Sequence, residues 1–263
     1  MESILMTLQG TGFTFLMTSL GAALVFCFRK DMKESLQQIM LGFAAGVMVA
    51  ASVWSLLLPA IEQAEQRGDI AIIPAAGGFA LGGIFLAVMD RIMPHIHALS
   101  GVEEGMKSSL RRTTLMVGAV TLHNIPEGMA VGLAFSNAFL EGGSTVNYAA
   151  AFALAIGIGI QNFPEGAAIS LPLRKEGMKP FKAFLCGSLS GIVEPVFGVI
   201  TVLLAAYLNP VMPWLLAFAA GSMVYVVVEE LIPEAHLGEH SHFGTAGVMV
   251  GFLVMMVLDV ALG

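Results

Sequence analysis

Eight apolar runs of about twenty residues each, joined by short polar connections, leave this chain few ways to fold. They cover roughly 10–28, 36–60, 70–92, 113–137, 147–172, 181–207, 211–234 and 244–262. A bilayer core admits only helices or closed barrels, because every backbone polar group must be satisfied within the protein. The runs lack the two-residue alternation of barrel strands, so they predict helices. Composition agrees: 57% of residues are hydrophobic and 12% charged, against about half and about a quarter in soluble domains. The expectation is an all-α polytopic bundle, one transmembrane domain over 1–263, with almost no room for a soluble domain. Met1-Glu2-Ser3-Ile4-Leu5 lacks a basic signal-peptide start, so the first run is expected to stay as a span. Cys27 and Cys186 lie in different runs without a CxxC pattern and suit small buried hydrophobes.

Lys and Arg favour the cytoplasmic side of a membrane. Arg29, Lys30 and Lys33 follow the first run; Arg91, Lys107, Arg111 and Arg112 follow the third; Arg174, Lys175, Lys179 and Lys182 follow the fifth. Only Arg67 stands in a connection of the other side. The threading therefore predicts external termini and an inner connection over about 94–112. Five of the six histidines then fall at the cytoplasmic face: His95, His97, His236, His240 and His242. The sixth is His123.

His123 opens a motif that occurs twice. His123-Asn124-Ile125-Pro126-Glu127-Gly128 lies in the fourth run, and Gln161-Asn162-Phe163-Pro164-Glu165-Gly166 in the fifth. A carboxylate in hydrocarbon is costly unless a charge sits beside it, and ionisable groups in spans mark ion pathways. Neither run contains a Lys or Arg. The countercharge must come from outside the protein, and the imidazole and amides beside the acids suggest a metal cation. Four-residue spacing puts His123 and Glu127 on one helical face, and Gln161 and Glu165 likewise. Asn124 and Asn162 flank those faces. Two copies on antiparallel neighbours imply a local two-fold axis in the membrane plane, a plan common in transporters. Each proline frees the carbonyl four residues back, here Leu122 and Ile160, to face a cation or water.

Glu194, in Ser190-Gly191-Ile192-Val193-Glu194-Pro195, adds a third acid within the sixth run. Imidazole suits zinc, copper, iron and nickel, while carboxylates alone suit harder cations. The mixed set points to a divalent transition metal carried as substrate, zinc first. An intramembrane metalloenzyme would normally need HExxH or a similar His-rich set; no HExxH occurs. A channel-like cation permease, selecting by acids, stays open as an alternative. No catalytic residue, catalytic cofactor or nucleic-acid partner is expected; the partners are the metal ion and the lipid bilayer.

At these residues the chain resembles the ZIP family of metal transporters, most closely its prokaryotic GufA-type branch. The likeness covers both motifs and Glu229-Glu230-Leu231-Ile232-Pro233-Glu234-Ala235-His236 of the seventh run. It implies eight helices with spans one to three related to six to eight, a homodimer, and movement of zinc, iron, manganese, cobalt or cadmium into the cytoplasm. It implies a primary metal position at His123, Glu127, Gln161 and Glu165, with the Met48 thioether nearby. An adjacent second position would use Asn124, Glu127, Asn162, Glu165 and Glu194. Glu62 and Asp259 match acids at an external mouth; Glu229, Glu230, Glu234, His236 and His240 match an inward exit route. Gln161 departs from the His of many members, and Asn162 from the Asp of some, which weakens the second position. The small size suggests a bacterial inner-membrane protein.

Overall fold

The computed structural model describes residues 2–27, 33–92, 95–96, 103–104, 112–140, 142, 145–175, 177–235 and 242–262. The long helices are α1 (Glu2–Cys27), α2 (Glu34–Ala51) continued by α3 (Leu58–Gln66), α4 (Ile72–Ile92), α5 (Arg112–Leu140) and α6 (Thr145–Lys175). They are followed by α7 (Pro180–Ser190), α8 (Val193–Leu208), α9 (Met212–Val226) continued by α10 (Ile232–Ala235), and α11 (His242–Leu262). The one extended pairing among the described residues is two residues long, His95–Ile96 (β1) against Glu103–Glu104 (β2). It falls in the connection between α4 and α5.

Six helical stretches are long and apolar enough to cross a membrane: Ser3–Cys27, Glu34–Gln66, Ile72–Ile92, Pro180–Leu204, Met212–Leu231 and His242–Ala261. The chain is thus a polytopic helical membrane protein. α5 and α6, with 29 and 31 residues, carry the two polar motifs in mid-helix. Burial orders the layers. Only 28% of α4 and of α11 is covered, against 61% of the α2–α3 stretch and of the α9 stretch. The outer faces of α4 and α11 bear Leu81, Ile84, Val88, Val250, Leu253 and Val257, all exposed. Apolar stripes of that length suit hydrocarbon rather than water. The main core cluster joins Met48 and Ala51 of α2, Val131 and Phe135 of α5, Leu154 and Ile158 of α6, and Leu216 and Met223 of α9.

Four helix pairs dominate the packing: α1 with α6, α5 with α8, α2 with α11, and α4 with α9. Each is drawn close by glycine, as membrane helices favour where no hydrophobic force operates between them. A Cβ on Gly166 would lie 2.0 Å from the Thr18 carbonyl, and one on Gly128 2.5 Å from that of Glu194. Gly46 meets the Val248 carbonyl in the same way at 2.1 Å, and Gly82 that of Phe218 at 2.0 Å.

Three departures from regular helix have local causes. Ser52–Leu57 and Val227–Leu231 are π-helical, each just ahead of a proline, Pro59 and Pro233. The ring would crowd the carbonyl four residues back, and the wider turn relieves it: Leu58 N–H donates to Val53 O and Ile232 N–H to Val227 O. The stretch expected as one run over 181–207 is broken at Gly191–Ile192, so Glu194 sits in the first turn of α8. α5 and α6, in contrast, run unbroken through Pro126 and Pro164. The first helix starts at Glu2, earlier than the apolar run beginning near residue 10, because its early polar residues Ser3 and Thr7 are buried by neighbours.

The α4–α9 contact yields a paired test. Gly82→Ala forces a methyl into the Phe218 backbone and should cost about 1–3 kcal/mol. Gly83→Ala meets nothing nearer than 4.0 Å and should leave the thermal midpoint of the detergent-purified protein unchanged.

Candidate metal centre

The two motifs lie in mid-helix and meet where α5 and α6 pack on each other; α5 also packs on α8 and α6 on α1. Asn124, Glu127, Gln161, Asn162 and Glu194 are all buried, with at most 1% of any of them exposed. Burial alone would make these acids untenable, so their partners decide the site. The Gln161 amide Nε2 donates to Glu127 Oε1 at 2.8 Å. Asn162 Nδ2 donates to both oxygens of Glu194, at 2.9 Å each, and Gln161 Nε2 also reaches Asn162 Oδ1. Glu194 gains a further anchor from position, since the first turn of a helix carries partial positive charge.

Glu165 lies on the turn facing this network. Glu127, Glu194 and Glu230 are within its electrostatic range, and Asn124 stands beside it. Among the described residues, neither polar atom of the Asn124 side chain completes a hydrogen bond, nor does Glu165 Oε1. Buried polar atoms are nearly always satisfied, and exceptions ask for an explanation such as an ion. Lys and Arg stand only at the ends of α5 and α6, as Arg112, Arg174 and Lys175, and α8 has none. Arg174 is engaged in any case, donating to the Val25 carbonyl.

The structure therefore brings together Asn124, Glu127, Gln161, Asn162, Glu165 and Glu194. His123 belongs to α5, but its side chain lies outside the described residues. No three His, Cys, Asp or Glu side chains among the described residues form a metal-holding group by themselves; amides are interleaved with the acids. Met48 is buried in the central apolar cluster. Of the expected exit residues, Glu229 is exposed and Glu230 half-buried, both on the π turn after α9. Glu230 lies within electrostatic range of Glu165. His236 and His240 and the Glu234 side chain lie outside the described residues.

Glu62 and Asp259, far apart in sequence, line one cavity of about 400 Å³ where α5 ends and α6 begins, together with Trp54, Ser55 and Asn137. Ser55 Oγ donates to Asp259 Oδ1 at 2.5 Å. Beneath it Gln63 Nε2 donates to Asn137 Oδ1. Sequence reasoning missed Ser55, Gln63 and Asn137, since single polar residues near a span end carry no spacing signal. Cys27 is exposed and Cys186 half-buried, neither in a disulfide; for Cys27 this corrects the expectation of a buried hydrophobe, because among the described residues its helix end is left uncovered.

The partners give a differential stability test in metal-free buffer. Asn162→Ala removes both donors to a carboxylate of zero exposure, and should cost about 1.5–3 kcal/mol. Asn124→Ala removes an amide with no completed bond among the described residues, and should leave the melting midpoint unchanged or higher.

A model of the family described as ZIP zinc transporter matches residues 97–259, which contain both motifs. A human protein named Zinc transporter ZIP11 is 38% identical over 340 aligned residues, covering 100% of this chain and 98% of its own length. Zinc transporter GufA of Myxococcus xanthus is 39% identical over 249 residues, 94% of each chain. Zinc transporter ZIPB of Bordetella bronchiseptica is 37% identical over 252 residues, 95% of this chain and 79% of that one. With full-length relatives at this identity and a family match over most of the helices, the chain belongs to the ZIP family.

Proposed function

We propose that this protein carries divalent transition-metal ions, zinc first, across a membrane into the cytoplasm through a centre between α5 and α6. It is a transporter, with the metal as substrate, and not an enzyme. One observation carries the reading: Glu127 and Glu194 are buried and held by amides, the half-buried Glu165 lies within electrostatic range of both, and no Lys or Arg stands along the middle of their helices. A divalent cation supplies the missing charge. The names of the relatives, all zinc transporters, favour zinc. In this reading His123, Glu127, Gln161 and Glu165 hold the primary ion, with Met48 close by. Asn124, Asn162 and Glu194 complete a second position.

Helix lengths support the eight-span plan. At about 1.5 Å per residue, α5 and α6 each exceed the roughly 30 Å of a hydrocarbon core, which adds two spans to the six apolar ones. The packing supports an inverted two-fold: exchanging α1 with α7–α8, α2–α3 with α9–α10, α4 with α11 and α5 with α6 maps the four main helix pairs onto one another. The π turns ahead of Pro59 and Pro233 are exchanged too. With the basic loops inside, both termini are external in a bacterial inner membrane. Glu62 and Asp259 then receive the ion from outside, while Glu229, Glu230, Glu234, His236 and His240 pass it inward. The family resemblance adds a homodimer. The deep burial of the centre favours an alternating carrier over a channel-like pore, so uptake into liposomes should saturate at rates far below a pore's.

Zinc uptake by proteoliposomes tests the site. His123→Ala and Glu165→Ala should each abolish high-affinity uptake at normal membrane abundance; near-wild-type transport by both would rule the centre out. The rate should rise from about pH 5 to 7, since metal binds only the neutral imidazole, near pKa 6.5 unperturbed, and the ionised carboxylates, releasing protons. A flat or falling profile counts against ligand deprotonation. Two divalent ions against three carboxylates leave net positive charge in a low dielectric, so the second ion binds much more weakly. Asn162→Asp should strengthen it; calorimetry with two equal sites in the wild type contradicts this.

A further inference from the structure

α1 carries a buried polar stripe that the metal-binding motifs do not explain. Thr7, Thr11, Thr14 and Thr18 have no exposed surface, and their spacing of four, three and four keeps them on one helical face. Each of the last three hydroxyls turns back on its own helix: Thr11 donates to Thr7 O at 2.7 Å, Thr14 to Thr11 O at 2.9 Å, and Thr18 to Thr14 O at 3.2 Å. Hydroxyl bonds normally fall between about 2.5 and 3.0 Å, so the Thr18 bond is the weak one of the series.

Thr18 has a better acceptor beside it. The Glu194 carboxylate lies within hydrogen-bonding reach of the Thr14 and Thr18 hydroxyls. Thr18 Oγ1 and Glu194 Oε1 stand 3.0 and 3.2 Å from one point, the place a Cβ on Gly191 would occupy. A hydroxyl donating to a carboxylate makes a bond about twice as strong as to a neutral carbonyl. Asn162 uses one lone pair on each Glu194 oxygen, and a carboxylate offers about four. Room remains for a hydroxyl on one side and a cation on the other. The α1 backbone is fixed at this point, because Gly166 of the second motif is seated directly on the Thr18 carbonyl. Gly128 of the first motif is seated in the same way on the Glu194 carbonyl. Thr18 thus occupies on α1 the place that Glu194 occupies on α8.

We propose that Thr18, backed by Thr14, is a positioning residue of the metal centre: its hydroxyl holds the Glu194 carboxylate, with Asn162, in the orientation that faces the transported ion. The inference rests on the reading of Glu194 as part of that centre. Thr18→Val keeps the shape and removes the donor, while Thr18→Ser keeps the donor. Loss of one charge-assisted bond should lower zinc uptake (kcat/KM in proteoliposomes) by about tenfold in Thr18→Val, and Thr18→Ser should stay within about twofold of wild type. Infrared spectra of the purified protein supply a readout independent of transport. The carboxyl band removed by Glu194→Gln belongs to Glu194; it should move in Thr18→Val and keep its place in Thr18→Ser. Wild-type uptake in Thr18→Val, no rescue by Ser, or an unmoved Glu194 band would each overturn the assignment. Failure of the underlying centre shows separately, as full uptake by Glu165→Ala.

Discussion

Three carboxylates brought together in apolar helices, two buried and one half-buried, with no Lys or Arg along the middle of those helices, are the constraint around which this molecule is arranged. Isolated charges in such a setting are costly, and the protein meets the cost in distributed ways. Gln161 gives its amide protons to Glu127 and Asn162, Asn162 clamps Glu194 with both bonds, and the break at Gly191 sets Glu194 in a helix's first turn. None of these supplies a full positive charge. The arrangement is therefore stable enough to fold and still short of countercharge, which is what a carrier of cations requires: a site that an ion completes and can leave. Cys ligands would bind more tightly and release more slowly.

The helix packing holds those side chains in register. Gly128 and Gly166, the last residues of the two motifs, bring α8 and α1 into backbone contact at Glu194 and Thr18. The motifs thus carry the proposed ligands on one face and a close helix seat a residue later. Farther out, α2–α3 and α9–α10 each contain a π turn relaxed ahead of a proline. One bears Ser55, bonded to Asp259 in the cavity; the other bears Glu229 and Glu230. In the proposed inverted plan these wide turns sit on opposite sides of the centre, where the ion would arrive and depart. Their looser ladders make them natural points of adjustment for the proposed alternation of access.

Much of this was legible in the sequence for a physical reason. Helix positions followed from long apolar runs, and the family from a six-residue motif whose His, Glu and Pro are each costly in a span. What periodicity could not reveal was how the polar groups spend their hydrogen bonds. Gln161 and Asn162 look like two weak ligands in the sequence, yet the structure gives their amide protons to Glu127 and Glu194. The break at Gly191–Ile192 was hidden because it falls inside one long, mostly apolar run, and π turns have no signature beyond the proline that follows. The threonines of α1 did carry a signal, a spacing of three and four within an apolar helix. Its meaning depends on Glu194, which comes from a helix far along the chain.

Anomalous diffraction at the zinc edge, from crystals soaked in zinc, locates the bound ion. The strongest peak should lie between α5 and α6, about 2.0–2.2 Å from carboxylate oxygens of Glu127 and Glu165, with any weaker second peak on the Glu194 side. Zinc found only at exposed acids such as Glu62 or Glu229, with the buried carboxylates still held solely by their amides, would contradict that placement.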